Sequence, residues 1–304
     1  MNNFFEFHFK AMGSPCQLQL YASSLTKAKQ IEQLAIKRIE LLEQRYSRYR
    51  ETSLLSRINQ RAGTKTTTPI DTETHALLRY AEQCYQESEG LFDVSSGVLR
   101  HIWDFKTRTL PTKKQCKKMT RLINWPSIEW DEKTIYLPKV GMELDFGGLV
   151  KEYAADTVAT LCRQQGITAG LVELGGDIAV IGVNTEMSEG WSIAIQHPRK
   201  SKSTLGKLSL NHGGLASSGD YQRYIEIQGQ RYSHVLNPKT AFPVQGLQAV
   251  SVIADHCLVA GSIATIAMLK GKSGLGWLQE SGISFMCCDH KGWLHSHSFF
   301  NHSP

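Results

Sequence analysis

The stretch from Val150 to Gly182 constrains the fold more than any other part of the chain. Val150 to Gln165 carries helical spacing and is stopped by Gly166. Gly170 to Gly182 (GLVELGGDIAVIG) then reads as strand, tight Gly-Gly turn, strand. Elsewhere helices and strands both occur without strict alternation. That pattern predicts an α+β fold, mostly antiparallel sheet flanked by helices.

Four further helices are expected. Thr26 to Arg48 places Ile31, Leu34, Ala35, Ile39 and Leu42 at helical spacing among charged residues. Thr72 to Glu87 is ended by Gly90, Pro111 to Leu122 has proline at its first turn, and Leu258 to Leu269 is stopped by Gly271. Phe4 to Leu20 alternates in part, which predicts strands on either side of Met12-Gly13-Ser14-Pro15. Trp191 to Gln196, Tyr224 to Ile227 and Ala249 to Ile253 read as strands. No linker divides the 304 residues, so 1–304 is expected to be one domain. At 41% hydrophobic and 20% charged, the composition excludes disordered and fibrous classes, and the length allows a core without staples.

Seven cysteines, an odd number without CxxC, do not form a disulfide framework; reduced thiols in the cytoplasm are expected. The first residues lack an apolar signal region, and the longest apolar stretch, 258–269, is too short to span a bilayer. No membrane role is expected.

The basic run from Lys106 through Arg108 to Arg121 lacks interleaved aromatics and any nucleic-acid module signature. It reads as a solvated face, with no nucleic-acid partner. Residues 269–274 (LKGKSG) lack the glycine spacing of a phosphate loop and read as a helix end. The eleven histidines, His302 among them, show no zinc-ligand spacing.

Three glycine-containing segments are more informative. Residues 144–156 (LDFGGLVKEYAAD) open a helix with two glycines, and Lys151 follows one turn in; bare N–H groups and a cation there favour phosphate. Residues 173–178 (ELGGDI) form a tight turn at Gly175, Gly176 and Asp177, with the carboxylate at its tip. Residues 216–224 (ASSGDYQRY) offer hydroxyls, a flexible glycine, Asp220 and Arg223, with Ser218, Gly219 and Asp220 at the centre. Three such turns with a net charge of +6 favour a diphosphate ligand. His234, within RYSHVLNPKT, is either an ordinary surface group or a general base beside that ligand.

Together with AMGSPC (11–16), YSRYR and SLLSRIN (46–59), GLFDVSSG and IWDF (90–105) and AGSIAT (260–265), these segments fall in the order found in the ApbE family, which the chain resembles over about residues 8–290. The family comprises the FAD:protein FMN transferases. The resemblance implies an ApbE-like, T-fold-related domain that takes FAD as substrate, uses Mg²⁺, and moves FMN onto a threonine or serine hydroxyl of a partner flavoprotein, releasing AMP. By motif, it implies that Met12 and Tyr49 line the flavin or adenine site. Ile102 and Trp103 lie near the dinucleotide, and Lys151 and Thr157 contact FAD. Val235 and Leu236 present backbone to the isoalloxazine. His234 is the general base, and the Ala154 carbonyl and Thr265 are metal ligands.

One departure bears on mechanism. The family usually reads Ala-Asp-Ala-Leu-Ala-Thr where this chain has Ala260 to Thr265, so Gly261 stands in the carboxylate position. Without that anion, Mg²⁺ binding is expected to weaken, and Gly261→Asp to tighten it. Asn237 and Ala241 stand where the family commonly has Asp and Gly. The alternatives are a flavin-binding protein without transfer activity and a pyrophosphatase splitting FAD into FMN and AMP.

Overall fold

A computed structural model describes residues 2–107, 109–184, 190–200 and 202–299 of the protein. Arg108 of the basic run and His302 lie outside the described residues.

The chain opens on a long hairpin. β1 (Asn3–Ala11) and β2 (Ser14–Ala22) pair antiparallel from Asn3↔Ala22 to Ala11↔Ser14. The turn is Met12-Gly13 alone, left-handed at both residues (φ 51° and 75°), a two-residue turn whose twist matches the strands it joins. Ser14 and Pro15, expected in the turn, already belong to β2. In α1 (Leu25–Tyr46), Ala28, Ile31, Ala35, Ile39 and Leu42 are buried, and the Ser24 side chain accepts from the Lys27 N–H at 3.2 Å as cap. Leu34 falls on the flank of that stripe and stays 41% exposed.

A region of short elements follows: α2 (Leu54–Gln60), β3 (Thr68–Pro69), α3 (Thr72–Glu87), α4 (Lys113–Thr120), β4 (Glu129–Trp130) and β5 (Thr134–Tyr136). The three strands form a small sheet in the order β3-β5-β4. The helix of the basic run is shorter than expected, since Thr112 and Gln115 close a capping box that fixes its start.

Next come α5 (Val150–Gln164), β6 (Gly170–Leu174), β7 (Asp177–Gly182), β8 (Trp191–Gln196), β9 (Thr204–Leu210) and β10 (Gly214–Gly219). The chain ends with β11 (Tyr224–Ile227), β12 (Gln230–Ser233), β13 (Leu247–Ala254), α6 (Cys257–Lys270), α7 (Gly274–Ser281), β14 (Ser284–Asp289) and β15 (Leu294–His297).

The main sheet runs β1-β2-β6-β7-β10-β13-β14-β15, and every neighbouring pair is antiparallel. Alternate side chains serve two cores. Leu18, Val172, Ala179, Ala216 and Val252 face α1, α5 and α6. Leu171, Ile178, Val180, Leu215 and Ile253 pack against Trp191, Ile193, Leu208 and Leu210 of the β8–β9 hairpin. Burial on both faces is why β6, β7 and β13 carry adjacent apolar residues without strict alternation. It also explains β10: residues 214–219 extend the sheet rather than turning freely, so of 216–224 only residues 220–223 are loop. No helix among the described residues is long and apolar enough to cross a membrane.

Candidate active site

A cleft of about 1850 Å³ opens where the β1–β2 tip, the start of α5, the β6–β7 turn, β10, residues 234–236 and α6 converge. It exceeds the roughly 300–1,000 Å³ of an ordinary small-ligand pocket, leaving room for an extended ligand and an approaching second molecule.

The turn at the head of α5 is held from outside. Asp145 pairs with Arg48 and accepts from the Gly147 N–H at 2.9 Å, which fixes the two glycines before Val150. No side chain caps α5; its Val150 N–H donates to the Phe146 carbonyl at 2.9 Å, and the turn that follows opens on the cleft. Opposite, the β6–β7 turn runs through Gly175 and Gly176 at φ 61° and 93°. A Cβ on Gly175 would stand 2.8 Å from Ser14 Cβ, so the turn can lie against the first hairpin only as glycine.

Lys151 and Asp177 join these two walls. Lys151 Nζ lies 2.5 Å from Asp177 Oδ2, and Asp177 Oδ1 accepts from the Ser217 N–H at 3.3 Å. Asp177 is thus not an exposed turn tip: it is 1% exposed, the first residue of β7. Burial raises the Asp177 carboxyl pKa, which Lys151 partly offsets. Burial works against the Lys151 ammonium, but Asp177 and Glu152 more than compensate and hold its pKa above the usual lysine value.

Glu152 is the second buried carboxyl on this wall. It is 7% exposed, its Oε2 has no hydrogen-bond partner, and burial followed by the nearby Asp177 raises its pKa. An unpartnered oxygen buried close to the Lys151 charge is unusual, because such groups normally find partners. It is a donor that a hard cation accepts, so an Mg²⁺ site fits this wall. No group of three or more His, Cys, Asp or Glu among the described residues is arranged to hold a metal. Any such site would be lean in protein ligands, as Mg²⁺ sites completed by substrate phosphates are.

His234 faces the same cleft. Its backbone N–H donates to the Arg223 carbonyl at 3.0 Å, and Nδ1 stands 3.1 Å from the same oxygen. A carbonyl can only accept, so Nδ1 carries the proton and Nε2 keeps its lone pair. Burial lowers the His234 pKa, which keeps the ring neutral. Farther along the cleft, Trp103 stacks on Phe105 at 5.9 Å and donates from Nε1 to the Ala241 carbonyl at 2.7 Å, forming an aromatic wall.

A model of the ApbE family matches residues 12–287. The chain belongs to the ApbE family. The FAD:protein FMN transferase of Klebsiella pneumoniae (strain 342) is 30% identical over 263 residues, 84% of this chain and 79% of that protein. Its counterpart in Vibrio cholerae (strain O395) is 28% identical over 258 residues, 83% and 75% of the two chains. Among solved structures, the apo form of the Pseudomonas stutzeri flavinyl transferase ApbE superposes with TM-score 0.87 at 26% identity, over 99% of this chain and 96% of that one. The ApbE protein of Thermotoga maritima gives TM-score 0.88 at 23% identity over 98% of both chains, and shares the fold.

Of the residues singled out by the ApbE motifs, Met12, Tyr49, Trp103, Lys151, Gly175, Gly176, Ser218, His234, Val235, Leu236, Gly261 and Thr265 line the cleft. Six others do not. Ile102 packs into a small core with Leu99 and Cys116. Ala154 is fully buried inside α5, and Thr157 turns its hydroxyl onto the Tyr153 carbonyl at 2.6 Å. Asp177 sits behind Lys151. Gly219 ends β10, and Asp220 is held by Arg199 through two hydrogen bonds of 2.6 and 2.7 Å. Conversely, Glu152 and Arg48 went unassigned in the sequence, and Arg223, offered there as a ligand group, instead fixes His234 through its carbonyl. For Glu152 there was a signal: it shares the buried side of α5 with Ala155 and Ala159, where a charge needs a reason.

Proposed function

We propose that the protein transfers the FMN half of FAD to a threonine or serine hydroxyl of a partner flavoprotein, with release of AMP. The relatives' names and family membership support a transferase acting on FAD. The observation that carries the reading is His234: a neutral imidazole, its tautomer set by Arg223, facing one cleft with an uncapped helix start and Lys151.

The step is phosphoryl transfer. The acceptor oxygen forms a bond to the phosphorus of the FMN half as the bond to the bridging oxygen breaks, and AMP departs with that oxygen. His234 Nε2 takes the hydroxyl proton. Lys151, at the start of α5, holds the diphosphate, and the Trp103 wall orients a planar ring. A divalent cation, held among the oxygen donors that include Thr265, would when bound neutralise diphosphate charge. The seven buried, unpaired thiols support a reducing compartment, the cytoplasm.

The test is incubation with FAD, Mg²⁺ and an acceptor flavoprotein. Flavin fluorescence should appear on the acceptor in a denaturing gel, with one AMP per flavin moved. FAD bound with no fluorescent acceptor would overturn transfer, and AMP released equally without acceptor would indicate hydrolysis.

A further inference from the structure

Gly261 and Glu152 occupy each other's space. A Cβ built on Gly261 would lie 2.6 Å from Glu152 Cγ and 3.0 Å from Glu152 Oε1. The carboxyl of Glu152, reaching across from α5, therefore fills the position beside α6 where a side chain at 261 would stand. Thr265 follows Gly261 by one helical turn, on the same face. Gly261, Thr265 and Glu152 all line the cleft.

We propose that Glu152 is the carboxylate ligand of the divalent cation in this protein, delivered from α5 in place of one from residue 261 on α6. The inference rests on the proposed use of Mg²⁺. Three observations carry it. Glu152 is more than nine-tenths buried, yet its Oε2 has no partner. A buried carboxyl is costly to ionise, and a bound dication offsets that cost. Gly261 leaves the gap that the longer side chain needs. Residue 261 is then glycine because the acid is already present, and the sequence-based expectation for Gly261→Asp reverses: the added side chain runs into Glu152.

The probe is Mn²⁺, titrated by electron paramagnetic resonance into full-length protein saturated with FAD. Glu152→Gln keeps the shape and removes the charge. It should weaken Mn²⁺ binding by about tenfold or more, with FAD affinity in EDTA unchanged. Gly261→Asp alone should also weaken it. The double variant Glu152→Ala with Gly261→Asp should restore Mn²⁺ binding, which a merely structural role for Glu152 would not produce. Mn²⁺ binding by Glu152→Gln equal to that of the unaltered protein would overturn the assignment and leave metal use standing. No Mn²⁺ binding by the unaltered protein would overturn both.

Discussion

His234 owes its readiness as a base to one carbonyl. With Nδ1–H committed to Arg223, the proton-accepting nitrogen faces the cleft, and burial keeps the ring neutral. The neutral form is the active one, so turnover should fall only as pH drops through a midpoint below the ordinary histidine value of about 6.5, and stay level above it. A midpoint at or above neutrality would contradict this environment. His234→Gln should lower transfer by about 10²- to 10⁴-fold while FAD stays bound; single-turnover rates with a parallel FAD titration measure both. At this scale the sequence was only partly legible. The ordered motifs led to His234, Lys151 and the glycine turns, but the partners of these residues lie far along the chain: Arg48 with Asp145, and Glu152 with Gly261. Sequence spacing carries no information about which side chain crosses from one helix to another.

α6 illustrates the same limit for an element. Leu258 to Leu269 was readable as a helix from its apolar run and terminal glycine, and the observed helix differs by one residue at each end. What starts it was not readable. His256 at the N-cap makes no side-chain cap; instead Asp156 of α5 accepts the Cys257 N–H and the Leu258 N–H, each at 2.9 Å. One helix thus caps another and fixes the angle at which both meet the cleft. Asp156→Ala leaves two amides unpaired and should cost about 1–3 kcal/mol, seen as a lower thermal midpoint. Asp156→Asn keeps one acceptor and should cost less. Equal midpoints for all three proteins would remove Asp156 from this role. Strands were legible where they were apolar and bounded by glycine, as in β6 and β7. They were missed in β10, whose serines and glycines resemble a loop until sheet neighbours on both sides give them a place.

For the whole molecule, the cysteine reading gains a physical basis. All seven thiols are free and buried, and burial raises the pKa of each, to about 12 for Cys162 and Cys287. Only a thiolate reacts readily. A disulfide reagent should therefore label the native protein slowly and all seven sites promptly in denaturant; rapid full labelling of native protein would show the core to be open. The antiparallel sheet and single unit followed from the sequence pattern. The β8–β9 hairpin as the cover of the second face did not, because nothing local distinguishes a strand that roofs a sheet from one that joins it.

The exchange between Glu152 and Gly261 reaches past this one chain. A glutamate is one methylene longer than an aspartate, enough for the same negative charge to be anchored from the neighbouring helix. A roster drawn up by demanding an acid at one place on α6 would strike this protein off as dead, whereas counting acids per cavity wall would keep it. Any lineage moving between the two arrangements must also cross a handicapped ancestor, overfull with both side chains or bare with neither.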